Sequence, residues 1–294
     1  MCIRDRYYIP VLIKRFENKG DKMNILKINI LSILTLAILV SCSGEKEPDL
    51  ASSAQDTKYV EYIFCDLGPD YTNEGFMAMI QEWNSLQDSL ETPVEISAGL
   101  APRTENDLYD FLWAIAWDSE EVRDKAWSEW VAGPGEGWTE QVAPIVSCGA
   151  STNGVEGVYA FDAYLPWINE VADPTPERGV ASYNFCTYTD DFSEGDLVTQ
   201  AQQTGQFIDS LNSDYGANSS YWLALLVPTF DTPIEGSSTG EYDYALRGYW
   251  DSEEVRQEAI AFVQTLPAPS GPQPECSGDE NFVFDVYEFR NTDT

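Results

Sequence analysis

Seven side chains that could bind a ligand or move protons lie on the predicted strands of this 294-residue chain. They include carboxylates, an amide, phenols and one guanidinium, which together can hold a polar or charged ligand. An arginine in the middle of a strand finds its best partner in a carboxylate across the fold, so we expect Arg247 to pair with Asp285 or Glu61. We predict that all seven line one space, and they are Glu61, Asp162, Tyr164, Asn184, Arg247, Asp285 and Tyr287. The alternative is an open sheet face in water or an ion-paired filling of a closed core.

The composition excludes several kinds of chemistry. The chain has no histidine, which removes His-ligated heme, His-ligated zinc and every Ser-His or Cys-His nucleophile. No phosphate loop, nucleophile elbow or dinucleotide fingerprint occurs in the sequence. A net charge of -34 would repel a phosphate backbone, so nucleic acid is not expected as a partner. We predict no metal and no cofactor; the alternatives are calcium in the acidic loops near Asp70 and Asp191 and a four-cysteine metal site.

The first 41 residues are not expected in the folded protein. Residues 1–22 are interpreted as an artefactual leader, and residues 23–41 have the short apolar core of a signal peptide. The run Leu39-Val40-Ser41-Cys42 resembles the bacterial lipoprotein box, which implies that Cys42 carries a lipid that holds the protein at a membrane. Ser43 then resembles the outer-membrane pattern, so we predict an outer membrane lipoprotein facing the periplasm or cell surface, with residues 42–57 as a flexible tether. The alternative is an ordinary secretory signal.

The remainder of the chain contains an internal sequence repeat. Trp-Asp-Ser-Glu-Glu-Val-Arg occupies residues 117–123 and again residues 250–256, and Phe-Cys recurs at residues 64–65 and 185–186. Several further matches follow in the same order, which indicates a tandem duplication. We predict two repeats, at residues 58–168 and 180–291.

Each repeat is predicted to be β-α-β-β-α-β. A helix is predicted at residues 73–90 in the first repeat, and Asp-Ser-Glu-Glu after each third strand is a capping box that begins a second helix. This order is the ferredoxin-like motif, whose right-handed crossovers give the strand order 4-1-3-2, and the fold class is α+β. Alternation predicts strands at residues 59–67, 94–100, 109–117 and 158–165, and at residues 181–188, 221–227, 242–250 and 282–289.

The element order and the Trp-Asp-Ser strand ends resemble the dimeric α/β-barrel superfamily, which includes antibiotic-biosynthesis monooxygenases, EthD-like proteins and stress-responsive barrel proteins. Members of that superfamily pair two modules through their sheet faces. The resemblance implies that the two tandem repeats pair sheet to sheet as an intramolecular dimeric α/β barrel. The chain would then be a monomer with an internal pseudo-dimer.

Four cysteines of the repeats allow three connectivities. Each repeat has one cysteine near the end of its first strand and one shortly before its fourth. Antiparallel neighbours place the end of one strand beside the start of the other, within reach of a disulfide. We predict the disulfides Cys65–Cys148 and Cys186–Cys276.

The main functional expectation is an exported, lipid-anchored, non-catalytic envelope protein that binds a small molecule or peptide between its modules. It rests on differences between the repeats at the polar face, such as Ala114 against Arg247. One alternative is a cofactor-independent monooxygenase-like enzyme, which the fold resemblance favours and the missing histidines disfavour. The other is a purely structural envelope lipoprotein with a filled barrel. Whether the protein is an enzyme stays open at this point.

Overall fold

The computed structural model describes residues 49–105, 107–150, 156–166, 178–215, 222–230, 242–265, 271–276 and 282–292. These residues belong to one unit that runs from Lys46 to Thr294. The predicted leader, the signal peptide and the lipidation site Cys42 lie outside the described residues. Within the described ranges, no helix combines the length and the apolar character needed to cross a bilayer.

The strands and helices predicted from periodicity form, and short elements are added between them. The helices in the described residues are α1 (Leu50–Ser53), α2 (Asn73–Gln87), α3 (Glu120–Ala132), α4 (Gly135–Val142), α5 (Glu194–Tyr215) and α6 (Glu253–Val263). The strands there are β1 (Asp56–Leu67), β2 (Ile96–Pro102), β3 (Phe111–Trp117), β4 (Val146–Cys148), β5 (Val158–Leu165), β6 (Arg178–Thr187), β7 (Trp222–Pro228), β8 (Tyr244–Trp250), β9 (Glu275–Cys276) and β10 (Val283–Asn291).

Eight of these strands close into an antiparallel barrel. The first half has the order β2-β3-β1-β5 and the second half has the order β7-β8-β6-β10. This is the strand order that the ferredoxin-like motif predicts. The halves join along two hydrogen-bonded seams, β5 with β7 and β10 with β2. The two four-stranded sheets therefore meet at their edges and share one interior, which leaves none of the eight strands with an open edge.

Three hydrophobic cores follow from this closure. The barrel interior contains the inward side chains of all eight strands, and most of the larger ones are aromatic. Helices α2, α3 and α4 cover the outer face of the first half, where Trp83 and Trp130 pack between the helices and the sheet. Helix α5 covers the outer face of the second half, and Leu50 of α1 packs into the same cluster.

The predicted disulfide connectivity is confirmed. Cys65 bonds to Cys148 with a Cα–Cα distance of 4.1 Å, and Cys186 bonds to Cys276 at 4.0 Å. In both cases the two cysteines are register partners, because the short strands β4 and β9 pair with the ends of β1 and β6. Both bonds therefore lie at the same end of the barrel.

Helices α3 and α6 begin in the predicted segments, but the capping residue is the serine and not the preceding aspartate. The third helical residue is then a valine, so the predicted capping box does not form. The Ser119 hydroxyl accepts from the backbone of Val122, and Ser252 accepts from Val255, each at 3.3 Å. Asp118, which we expected to act as a cap, forms an ion pair with Lys58 at 2.6 Å. The serine side chain reaches the helix N-terminus because its backbone is extended at the first non-helical position.

An ion-pair cluster crosses the β10–β2 seam. The guanidinium of Arg103, which follows β2, lies 2.5 Å from Glu253 at the start of α6 and 2.5 Å from Asp285 on β10. Hydrogen bonds from Arg256 and Gln257, together with the charge of Arg103, outweigh partial burial and lower the pKa of Glu253 to about 2. Asp285 is thus part of the seam that joins the two halves.

Removing one disulfide should weaken the fold without changing its topology. We expect the double change Cys186→Ser and Cys276→Ser to lower the free energy of unfolding by about 2–4 kcal/mol, since the bond closes a long loop. Urea denaturation followed by tryptophan fluorescence measures this. A reductant should then lower the stability of the wild type and of this variant, and leave a variant lacking both pairs unchanged. An unaltered denaturation midpoint in the Cys186/Cys276 variant would contradict the prediction.

Acid should weaken the seam through Glu253. Its pKa is about 2 in the folded protein and about 4.3 in an unfolded chain. The ionised carboxylate therefore contributes its full stabilising free energy above the unfolded-state pKa. That contribution is lost as the pH falls through this window towards the folded-state pKa. We expect Glu253→Gln to reduce the pH dependence of the unfolding free energy there, whereas the exposed neighbour Glu254→Gln serves as a control. Parallel pH profiles for wild type and Glu253→Gln would refute this assignment.

Candidate functional site

Strand alternation decides which side chains face the barrel interior. On β1, Tyr62 and Phe64 point inward, whereas Ile63 and Cys65 point toward the helices. The same division holds on β6, where Tyr183 belongs to the interior cluster. The helices therefore cover the face of β1 that carries Cys65, and Glu61, which we expected to line the shared space, lies on this face.

Glu61 lies on this helix-covered face under α3. Its carboxylate accepts hydrogen bonds from the indole nitrogens of Trp117 at 3.1 Å and Trp127 at 2.8 Å. Arg123 of α3 lies 3.2 Å away as an ion pair, although its Nε is not aligned for a hydrogen bond. The Arg123 side chain also donates to the Tyr59 hydroxyl at 2.9 Å. Glu61 therefore attaches a helix to the sheet, and it is not a partner of the central arginine.

Five other predicted site residues also lie on outer faces of the strands. Asp162 and Tyr164 alternate with the inward residues of β5, and burial raises the pKa of each. Asn184 is half-buried on the outer face of β6. Asp285 belongs to the seam cluster, and Tyr287 is 41% exposed. Of the seven predicted residues, the structure brings only Arg247 to the inner face.

Arg247 lies inside the barrel beside tyrosines. It is the cross-strand partner of Tyr183. Its guanidinium lies over the ring of Tyr249, 5.7 Å from the ring centre. The Nε atom is fully buried and has no hydrogen-bond partner. Among the residues that the structure describes, no carboxylate forms an ion pair with Arg247.

The hydrogen bond between Tyr62 and Tyr183 connects opposite walls of the barrel. The Tyr183 hydroxyl donates to the Tyr62 hydroxyl at 3.1 Å, and the two rings meet edge to face. Sequence reasoning missed this pair because we expected polar residues to line the interior. One signal in the sequence could have identified the inward residues, because the two repeats carry the same residue at alternate strand positions. The matching pairs are Tyr62 and Tyr183, Phe64 and Phe185, and Ala98 and Ala224.

Burial controls the protonation of this cluster. Burial, reinforced by Tyr183, raises the pKa of Tyr62 well above its ordinary value. Burial acts to lower the pKa of the Arg247 guanidinium, but the oxygens of Tyr183 and Tyr62 outweigh it and the net direction is upward. At neutral pH the Tyr62 hydroxyl is therefore protonated and Arg247 carries its positive charge.

The inner face is buried unevenly. The inward residues Val60, Ala98 and Ala114 are only half-buried, whereas Ala181 and Ala245 on the other half are completely buried. Ala114 is the counterpart of Arg247 in the repeat comparison, so one wall has a small residue where the other has a long cation. Arg247 itself is half-buried, and so is the carboxylate residue Glu288 on β10, the cross-strand partner of Ala98.

Comparison with known proteins gives matches of structure only. No family model and no curated protein matches the sequence. Chlorite dismutase from Candidatus Nitrospira defluvii matches in its imidazole complex with a TM-score of 0.45 and 10% identity, over 82% of this chain and 94% of that one. A mutant of that enzyme with cyanide matches with a TM-score of 0.45 and 9% identity, over the same shares of the two chains. A heme-binding protein from Thermus thermophilus matches with a TM-score of 0.42 and 10% identity, again over 82% and 94%.

The expectation of a non-catalytic, lipid-anchored envelope protein that binds a ligand between its modules is wrong. The solved structures that match are chlorite dismutases and a heme-binding protein. The fold supplies a physical reason. The polar residues on which the expectation rested lie on outer faces, and the interior that the halves share is mainly aromatic.

The donor atoms of the described residues do not fit heme. Proteins hold heme iron through histidine, cysteine thiolate, methionine or tyrosine. The chain has no histidine, and the four cysteines of the described residues are bonded in disulfides. Met77 is exposed on α2, and Met79 is buried in the core outside the barrel, so neither reaches the interior.

The inward tyrosines are packed among other rings. The ring centre of Tyr62 lies 5.6 Å from that of Phe161 and 5.7 Å from that of Tyr183. No group of three metal-ligating side chains occurs among the described residues.

We expect Glu61 to contribute to the stability of the fold and not to line the barrel interior. We expect Glu61→Ala to lower the unfolding free energy by about 3–5 kcal/mol, because it leaves Arg123 and two indole donors without their acceptor in a buried place. Glu61→Gln keeps an acceptor oxygen and should cost less. Chemical denaturation measures both changes. Equal stability of Glu61→Ala and wild type would contradict this role.

Proposed function

We propose that the chain is an enzyme that binds a small anionic aromatic molecule inside the barrel and oxidises it with O2 without a bound cofactor. The observation that carries this proposal is the Arg247 guanidinium, which lies in an aromatic interior and has no carboxylate partner in the described residues. We also propose that the barrel is an intramolecular dimeric α/β barrel, which two tandem repeats form by pairing. The inward residues that recur in both halves, such as Tyr62 and Tyr183, support this interpretation of the fold.

An unpaired guanidinium favours an anionic ligand. Placing a cation in an apolar interior costs several kcal/mol unless an anion or hydrogen-bond acceptors compensate. Tyr183 and Tyr249 compensate only in part, because one offers the partial negative charge of its hydroxyl oxygen and the other offers a ring face. A bound oxyanion would supply the missing acceptor for Nε and the missing charge. Arg247 is therefore the binding and orienting group of the proposed site.

The walls of the barrel favour an aromatic ligand. The inward side chains around the cluster include Tyr62, Phe161 and Tyr249, whose faces and edges suit a flat ring. The half-buried residues Val60, Ala98 and Ala114 border the space such a ring would take. Apolar walls with a few polar groups are the usual construction of a small-molecule site.

The proposed chemistry needs no further redox partner. A guanidinium beside a phenol or enol lowers the pKa of that hydroxyl and holds the resulting oxyanion, which is electron-rich enough to react with O2. In an anthrone-type substrate, a ring CH2 group becomes a carbonyl. One oxygen atom of O2 enters that carbonyl and the other leaves as water with the two hydrogens. The four electrons lost by the carbon reduce O2 completely, so the balance closes without a reductant.

The test uses 1,8-dihydroxyanthrone as the probe, with oxygen uptake and quinone absorbance as readouts. We expect the protein to accelerate both, and Arg247→Met to lower kcat/KM about 10²–10³-fold, because it removes the group that stabilises the oxyanion. Arg103→Met is the matched control, since it removes an arginine from the seam and leaves the interior intact.

A measurement of unfolding stability distinguishes a ligand-binding role of Arg247 from a purely structural role. Replacing an unpaired buried cation with an apolar side chain is often neutral or stabilising, so we expect Arg247→Met to unfold at the same denaturant concentration as wild type or higher. Oxygen uptake no faster than without protein would contradict the enzyme proposal. Loss of stability with unchanged activity would assign Arg247 to packing.

A further inference from the structure

The geometry points to Glu288 as the general base of the proposed reaction, the group that accepts the proton which the substrate loses when its oxyanion forms. This inference rests on the proposed function, because it adds a catalytic residue to the same site. An oxyanion forms beside Arg247 only if a nearby group accepts that proton.

Glu288 lies on the inner face of the barrel wall. On β10 it follows Phe284 and Val286 at alternate positions, and both of these residues belong to the interior cluster. Its cross-strand partner on β2 is Ala98, which packs against the same cluster. Glu288 is half-buried, and its Oε2 atom is fully buried. This wall therefore presents a carboxylate to the interior.

A β-bulge follows Glu288 on β10. The register of β10 against β2 shifts between Glu288 and Arg290, and Phe289 is the extra residue between them. Phe289 packs with the core outside the barrel, and Arg290 donates to Asp88 of α2 at 2.7 Å. Bulges redirect side chains and are common beside active sites. The two anchored outward residues hold the Glu288 side chain on the inner face.

Arg247 and Glu288 are placed on either side of a position that a ligand can take. Their strands, β8 and β10, are separated around the barrel by β6 alone. Ala98 lies across from Glu288, and Ala114 lies across from Ala98. The strand of Ala114, β3, is four strands away from β8 in the ring of eight, so it belongs to the opposite wall. A ligand that lies against these half-buried alanines has the carboxylate beside it and the guanidinium on the facing wall.

The two charges select the form in which the substrate binds. A permanent anion would be attracted by Arg247 and repelled by an ionised Glu288 at the same time. A neutral substrate with an acidic CH2 group, or its enol, avoids this conflict, because it gives its proton to the carboxylate as its oxygen becomes an anion. After the transfer, the site contains the Arg247 cation, one oxyanion and a neutral carboxylic acid. The net charge of the site is unchanged, so the substrate class is a neutral, weakly acidic aromatic compound.

Glu288 serves each proton step of the oxidation. The carboxylate first removes a proton from the CH2 group of an anthrone, and the electron pair of that C–H bond becomes the oxyanion that Arg247 holds. O2 then forms a bond to the same carbon, and Glu288 returns its proton to the outer oxygen, which gives a hydroperoxide. Glu288 next removes the second proton of the carbon while the O–O bond breaks and the carbonyl forms. The hydroxide that leaves takes this proton from Glu288 and becomes water.

The first measurement is oxygen uptake with 1,8-dihydroxyanthrone. We expect Glu288→Gln to lower kcat about 10²–10⁴-fold with little change in KM, because it removes the base and keeps the shape of the side chain. Glu288→Ala should regain part of the lost rate when formate is added, since formate accepts the proton in its place, and chloride at the same ionic strength should restore nothing. Asp162→Asn is the matched control, because it neutralises a half-buried carboxylate on an outer face.

The second measurement needs no turnover and uses naphthalenesulfonate, which is a permanent anion. Its fluorescence reports binding to the full chain. We expect Glu288→Gln to bind it about 10-fold more tightly than wild type, because the repelling carboxylate is gone. Arg247→Met should weaken binding, and Asp162→Asn should leave it unchanged.

The outcomes separate the two proposals. If Glu288→Gln oxidises the anthrone at the wild-type rate, Glu288 is not the base and the proposed function stands. If the wild type does not accelerate oxygen uptake, both proposals are wrong. Loss of activity in Glu288→Gln with no rescue by formate and an unchanged sulfonate affinity overturns the inference, because the carboxylate then acts through the fold.

A second variant covers the case in which Glu288→Gln does not fold. Glu288→Asp keeps the carboxylate and moves it away from the substrate by about the length of one bond. A displacement of about 1 Å can cost about 10²-fold in rate, so we expect a loss of this order in kcat. A wild-type kcat in Glu288→Asp would then overturn the inference.

Discussion

Closure of eight strands by two hydrogen-bonded seams is the constraint on which the other features depend. A closed antiparallel barrel has one inner and one outer surface, and strand alternation assigns every residue to one of them. The inner surface must be filled by side chains from all eight strands, and the outer surface must be covered by helices. The seam cluster around Arg103 ties the start of α6 and β10 to the first half.

The interior combines a dense aromatic core with one cation. Tyr62 and Phe64 on β1 recur as Tyr183 and Phe185 on β6, so part of the inner packing is the same in the two halves. The inward residues of β3 and β8 differ at every position, with Leu112, Ala114 and Ala116 in the first half and Ala245, Arg247 and Tyr249 in the second. Arg247 therefore lies on the strand pair at which the two halves differ most.

The strong negative charge of the chain does not prevent an anion from binding at this place. A net charge of -34 creates a repulsive field at long range, but counter-ions screen it beyond about 10 Å in ordinary salt. At contact distance inside the barrel, the dielectric response is weak, so the charge of Arg247 acts more strongly than distant surface charges.

Much of the architecture could be inferred from the sequence because its signals are local. Hydrophobic alternation marks the strands, the serines at residues 119 and 252 begin helices, and the repeated cysteine positions select one disulfide connectivity. The candidate site could not be inferred in the same way. Alternation states that Glu61 and Tyr62 face opposite sides, but it does not state which side is the interior.

Only the tertiary structure decides that question, because it depends on where the helices pack. They cover the face with Cys65, so Glu61 attaches a helix and Tyr62 enters the barrel. The partner of Arg247 was likewise decided by distance across the fold: tyrosines surround it, and Asp285 pairs with Arg103 at the seam. The sequence by itself determined the order of the elements and their covalent links. The closed barrel determined which polar groups meet, since contacts between distant residues arise only when the strands close.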